Sequence, residues 1–211
     1  MQTVPPQLCL VIETVPGARE RCAAALRGAP VATLIIAAGP DGSIDKKEAA
    51  DLIALAHTRD IAALIENDAA LAKDLSADGV HLSWHDDVEA AYTTVRADLG
   101  PNAIVGVDAG YSRHGAMSLG ESGADYIAFG LGAADRELAE GHRLDLVEWW
   151  AEIFEIPVVA FDVETAGEAS RLAEAGADFV AGRIPAGLAS DQVSAWLSGI
   201  AQGLETRLPT G

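Results

Sequence analysis

The sequence predicts a (β/α)8 TIM barrel, and three observations carry the prediction. The first is a repeat: Ser76-Ala77-Asp78-Gly79-Val80, Gly123-Ala124-Asp125-Tyr126-Ile127 and Gly176-Ala177-Asp178-Phe179-Val180, with the Ala-Asp pairs 47 and then 53 positions apart. In each copy an Ala-rich segment of helical period stops at a small residue, turns at Asp and enters an apolar run. The second is that this spacing is about twice the length of one βα unit, which leaves room for one further unit between copies. The third is that apolar runs repeatedly stop in polar clusters, as strands of α/β folds do at the end where sites are built. A doubly wound open sheet is the alternative; its edge strands would interrupt the repeat.

The units can be taken in order. Leu8 to Ile12 is a first strand that ends at Glu13, and Pro16-Gly17 opens a helix running to Leu26. Val31 to Ala38 is a second strand, closed by Gly39-Pro40-Asp41-Gly42; Asp45 then caps a helix whose apolar face is Leu52, Ile53, Leu55 and Ala56. Ile61 to Ile65 is a third strand, ending in Glu66, Asn67 and Asp68. A short helix leads to the fourth strand, which ends in His81, Ser83, His85 and Asp86, with a helix from Val88 to Leu99 behind it. Ala103 to Val107 is the fifth strand, ending at Asp108, and Tyr126 to Gly130 is the sixth. A Gly- and charge-rich loop then runs to Arg143 before a helix from Leu144 to Phe154 that carries Trp149 and Trp150. Ile156 to Phe161 ends at Asp162, Thr165 to Ala175 is helical, Phe179 to Ala181 is the eighth strand, and Asp191 to Leu204 is the last helix. Residues 1–211 read as one domain, a size common for such barrels.

Composition bounds the function. Half the 211 residues are hydrophobic and 22% are charged, the balance of a globular chain. No apolar run approaches a membrane span and the N-terminus lacks a basic-then-apolar leader, so no membrane partner and a cytoplasmic location are expected. A formal charge of −18 argues against nucleic acid, whose phosphates need a basic face. Cys9 and Cys22 are too few for a thiolate metal site and read as small buried apolar residues. There is no Gly-x-Ser-x-Gly, no P-loop and no Gly-x-Gly-x-x-Gly opening a helix after a strand.

In a barrel, the strand ends would display Glu13, Glu66, Asn67, Asp68, His81, Ser83, Asp86, Asp108, Asp162, Glu164 and Arg183 at one acidic mouth, with Asp135 and Arg136 on the long loop. Carboxylates so close raise one another's pKa unless a cation separates them. Two carboxylates with Asn and His beside them, in the stretch from Glu66 to Asp86, suit a hard divalent cation, which wants oxygen ligands and often keeps several waters. The plainer alternative makes Asn67 or Asp68 the N-cap of one helix and Asp86 or Asp87 that of the next. Arg183 is expected to pair with Asp162 rather than hold an anion. His114 and His142 are expected in solvent-facing loops. Trp149-Trp150 reads as core plus a partly exposed ring, which leaves room for a homo-oligomer.

Asn67-Asp68, then Ala77-Asp78-Gly79-Val80-His81-Leu82, then Asp86, resembles the thiamine phosphate synthase and thiazole tautomerase family of (β/α)8 barrels. The likeness continues, collinear, through Ile104 to Val107, Gly123 to Gly130, Ile156 to Ala160 and Ala175 to Asp178. It implies a transferase that joins a hydroxymethylpyrimidine diphosphate to a thiazole phosphate, with Mg2+ on Asp68 and Asp86 and with Asn67 and His81 in the active site. The departures are as informative. A Gln-x-Arg-x-Lys diphosphate grip is replaced by Leu34 to Ala38, and a Ser and His after strand five by Asp108 and Gly110. A Thr-x-Thr-Lys run becomes Gly132 to Arg136, and a Gly-Gly phosphate loop becomes Phe161-Asp162. Each lost charge-assisted contact is worth about 1.5–3 kcal/mol. Two readings follow. Either Arg136 and Arg183 replace the lost cations with Ser83, Asp108 and Asp162 completing the site, or the barrel acts on or binds a different small molecule, enzymatically or as a binding protein only.

Overall fold

The structure is a computed structural model that describes residues 5–131 and 136–205, the side chains of 136–138 excepted. Eight parallel strands close into a barrel in the order β1 to β8, each followed by a helix, as the repeat predicts. The strands are β1 (Gln7–Glu13), β2 (Thr33–Ala37), β3 (Ala62–Glu66), β4 (Gly79–Leu82), β5 (Ile104–Asp108), β6 (Tyr126–Phe129), β7 (Val158–Ala160) and β8 (Phe179–Arg183). The helices are α1 (Ala18–Ala25), α2 (Lys46–His57), α3 (Ala69–Asp74), α4 (Val88–Leu99), α5 (Arg113–Glu121), α6 (Arg136–Ile153), α7 (Ala166–Glu174) and α8 (Ser190–Glu205). No helix among the described residues is long and apolar enough to cross a membrane.

Strand alternation splits the apolar residues between two cores. One set of side chains packs against the helices, from Leu10 and Ile12 through Ile65, Val107 and Phe129 to Trp150. The other fills the barrel: Cys9, Val11, Ile35, Leu64, Ala128, Val159, Phe161 and Ala181, with Tyr126 packed against them. Both cysteines are buried and free, as the sequence suggests. Burial pushes each thiol up to about 12, which keeps it protonated and inert.

The sequence repeat has a structural cause. Each helix ends in a residue of positive φ, Ser76 at 56°, Gly123 at 92° and Gly176 at 101°. The next amide then returns to the helix, Ala77 to Ala72, Ala124 to Leu119 and Ala177 to Leu172, which closes a Schellman turn. The Asp that follows clasps the preceding strand. Its N–H donates to the carbonyl of Ala63, Val105 or Val158, and its carboxylate accepts the N–H of that same residue at 2.7, 2.7 and 2.9 Å.

Two expectations fail here. The segment before Leu144 is not a loop up to Arg143, because α6 already begins at Arg136. Ala139 and Arg143 are buried while Gly141 and His142 face out, so the charges that suggest a loop decorate the outer side of a helix. His114 and His142 are exposed as expected but lie on α5 and α6, and His142 stacks on Tyr111 at 5.0 Å. Trp150 is fully buried, and Trp149 is part-buried beneath Arg113.

Candidate active site at the barrel mouth

The C-terminal ends of the strands bring most of the expected residues to one mouth. Asn67 follows β3 in a left-handed conformation, φ 58°, which Asn tolerates better than most residues. Its carbonyl oxygen accepts the Ser83 N–H at 2.8 Å, and its amide donates to Ser83 Oγ at 3.2 Å. Ser83 Oγ donates in turn to Glu66 at 3.1 Å. This network ties the loop after β3 to the loop after β4, so that Asp68 and Asp86 stand on adjoining loops.

Asp68 is the N-cap of α3, with Oδ1 accepting the Leu71 N–H at 2.8 Å. Capping uses one oxygen and leaves the other for a second ligand. Asp86 lies exposed in the turn before α4, and Asp87 takes the N-cap position without a side-chain cap bond. Among the described residues, no group of three or more His, Cys, Asp or Glu could hold a metal.

His81 points into the barrel and is buried. Its ring stacks on Phe161 with centroids 4.5 Å apart, and Nδ1 lies 3.0 Å from the Tyr126 hydroxyl. Burial, with a smaller contribution from the Arg183 charge, pushes its pKa down to about 3, so the imidazole is neutral at physiological pH. Tyr126 finds room because Gly106, beside it in the sheet, lacks a side chain: a Cβ there would stand 1.8 Å from the Tyr126 ring.

Asp108 ends β5 and accepts the Gly110 N–H at 2.8 Å. Burial chiefly, and the neighbouring Asp162, push its pKa up to about 7, against amide bonds from Gly110 and Gly130 that lower it. Asp162 follows β7 with φ 58° and accepts the Leu131 N–H at 2.8 Å. The two carboxylates meet over Gly130, where an added Cβ would lie 3.0 Å from Asp108 Oδ2 and 3.1 Å from Asp162 Oδ2.

Arg183 does not pair with Asp162. It reaches inward, 3.6 Å from Glu13 and 3.4 Å from Glu66, because it is the inward-facing last residue of β8 and both glutamates ring the same cavity. The Arg136 side chain and Asp135 lie outside the described residues. Sequence reasoning overlooked Tyr126 and Phe161, which form the His81 wall, and the buried pair Arg143 and Glu168, 3.3 Å apart behind the β7–α7 loop. The Thr165-x-x-Glu168 spacing of a capping box was the available signal for Glu168. Arg143 carried none.

A family model described as thiamine monophosphate synthase matches residues 11–183. The thiamine-phosphate synthase of Erythrobacter litoralis (strain HTCC2594) is 44% identical over 146 residues, which cover 65% of this chain and 67% of that protein. That of Hyphomonas neptunium (strain ATCC 15444) is 42% identical over 149 residues, 68% of this chain and 66% of that protein. The chain thus aligns with about two thirds of the length of these curated relatives. A solved structure of a thiamine phosphate pyrophosphorylase from Pyrococcus furiosus superposes with a TM-score of 0.73, covering 96% of this chain and 97% of that one at 22% identity. At that identity the likeness speaks for the fold.

Proposed function

The chain belongs to the thiamine monophosphate synthase family, and we propose that it is a single-domain transferase of that type, working on small molecules at the barrel mouth in the cytoplasm. The observation that carries this reading is the Asn67–Ser83–Glu66 network, which sets the loops bearing Asp68 and Asp86 side by side. Those two carboxylates would hold Mg2+. The ion supplies charge neutralisation for a departing diphosphate when bound.

The chain's own residues do the rest. Asn67 and Ser83 fix the loop geometry and offer polar atoms to a ring substrate. His81, neutral and stacked, is a flat wall with a hydrogen-bonding edge. Asp108, half-protonated near neutrality, is the group suited to accept and return a proton. Arg136 at the start of α6 would replace a lost cation at the phosphate end.

A second reading is favoured by one specific observation. The mouth's inward arginine, Arg183, is already matched by Glu13 and Glu66, while Asp108 and Asp162 face each other over Gly130. That balance suits a less phosphorylated ligand, neutral or cationic, on the β5–β7 side.

A thermal-shift titration separates the two. Saturable stabilisation by Mg2+ together with the hydroxymethylpyrimidine diphosphate, lost in Asp68→Ala, is the expected result and would go with thiamine phosphate formation when the thiazole phosphate is added. Stabilisation by Mg2+ alone, with no response to the diphosphate, would favour the second reading. No response to either would leave Asp68 as a helix cap and reject the first.

A further inference from the structure

Four polar or charged residues are buried among the described residues: Thr14, His81, Arg143 and Glu168. The last two form an ion pair at 3.3 Å between α6 and α7, where Arg143 is 2% and Glu168 5% exposed. Taking both charges out of water is costly, and such pairs seldom stabilise a fold more than apolar side chains of the same volume. The cost here is not fully recovered, because Arg143 Nε is buried without a hydrogen-bond partner. What the pair does make is a set of bonds to one short loop. Arg143 Nη1 donates to the Phe161 carbonyl. Glu168 Oε2 accepts from the amides of Glu164 and Thr165 and from the Thr165 hydroxyl, each at 3.1 Å. Residues 161–165 are therefore held at both ends by one buried brace. Between those ends stand the Phe161 ring, stacked on His81, and Asp162, at φ 58° with its carboxylate towards Asp108.

We propose that Arg143, acting with Glu168, is a positioning residue that holds the β7–α7 loop in the conformation presenting Phe161 to His81 and Asp162 to Asp108. The inference rests on the mouth being the working site, but not on which substrate it takes. Its logic is geometric. A left-handed aspartate at the end of a strand is strained relative to its alternatives. The loop is also tied to the barrel by the N–H of Phe161 to Phe129, the N–H of Val163 to Ala181 and the Leu131 N–H to the Asp162 carboxylate. Releasing the Phe161 carbonyl and the 164–165 amides would therefore loosen it on the α7 side and admit water to Asp108. The charged group that bears on Asp108 is Asp162 from this loop, and the Asp108 charge in turn helps to raise the buried Tyr126 hydroxyl on β6.

The test follows the Asp108 carboxyl directly by carbon-13 NMR of aspartate-labelled protein, its resonance identified by loss in Asp108→Asn. No substrate is needed, so the result is independent of whether thiamine phosphate is formed. Arg143→Lys keeps the charge and removes the two-pronged geometry. The expected result is a fall of the Asp108 midpoint by on the order of one pH unit, because entry of water and displacement of Asp162 both favour the ionised carboxylate. An unchanged midpoint in folded Arg143→Lys would overturn the proposal. Should Arg143→Lys not fold, Glu168→Gln carries the same expectation and the same contrary outcome.

Discussion

Asp108 shows how a single residue takes its chemistry from its surroundings. In the unfolded chain its pKa is the ordinary value of about 3.9. In the barrel, burial and Asp162 push it up to about 7. Between those two values the folded state binds the proton more tightly than the unfolded state. Its contribution to stability is therefore complete below about pH 4 and is lost as the pH rises through about 7. Asp108→Asn abolishes this dependence, so denaturant unfolding should show the variant gaining on the parent between pH 5 and pH 8 by up to a few kcal/mol. Parallel pH profiles for the two proteins would mean that Asp108 is ionised and solvated after all. His81 works in the opposite sense, because its depressed pKa costs stability as the pH falls, which is why the comparison is made on the Asp108 variant. The identity of Asp108 as a strand-end acid was legible from the run Ile104 to Asp108. Its partner was not: the sequence suggests Asp162 beside Arg183, whereas Glu13 and Glu66 claim that arginine.

At the scale of the element, the three Ala-Asp turns are the clearest case of sequence pattern becoming structure. Each Asp closes a helix-to-strand turn by bonding both backbone groups of one residue on the preceding strand. Asp178→Ala removes the acceptor for the Val158 N–H and should cost about 1–3 kcal/mol, read as a lower denaturation midpoint with an unchanged slope. Asp51→Ala, which breaks only an exposed pair with Lys47 on α2, is the control and should cost under about 0.5 kcal/mol. Equal effects would show that the clasp is an ordinary surface contact. These elements were legible because local rules decide them: a Schellman turn, a cap, an apolar run. Asp45 caps α2 and Thr165 caps α7 for the same reason. The start of α6 was not legible, because Gly141 and the surrounding charges read as loop until tertiary packing buries Ala139 and Arg143.

At the scale of the whole molecule, 32 acidic against 14 basic residues leave a net charge of −18 on a single closed barrel. Self-repulsion of this size opposes compactness and is screened by salt. Raising NaCl from about 0.05 to about 0.5 M should therefore raise Tm. A fall would mean that specific ion pairs outweigh the global field. The barrel itself, its eight alternating units and the strand ends where chemistry gathers were determined by the sequence alone. Periodicity, turn residues and cap spacing act over a few neighbouring positions and so can be read in a line. What only the tertiary structure decided is which strand-end groups face one another: Arg183 with Glu13 and Glu66, Asp108 with Asp162, His81 against Phe161 and Tyr126, and the Arg143–Glu168 brace behind the β7–α7 loop. Those pairings join residues as far apart in the chain as Glu13 and Arg183. Barrel closure brings them together, and burial then sets their charge.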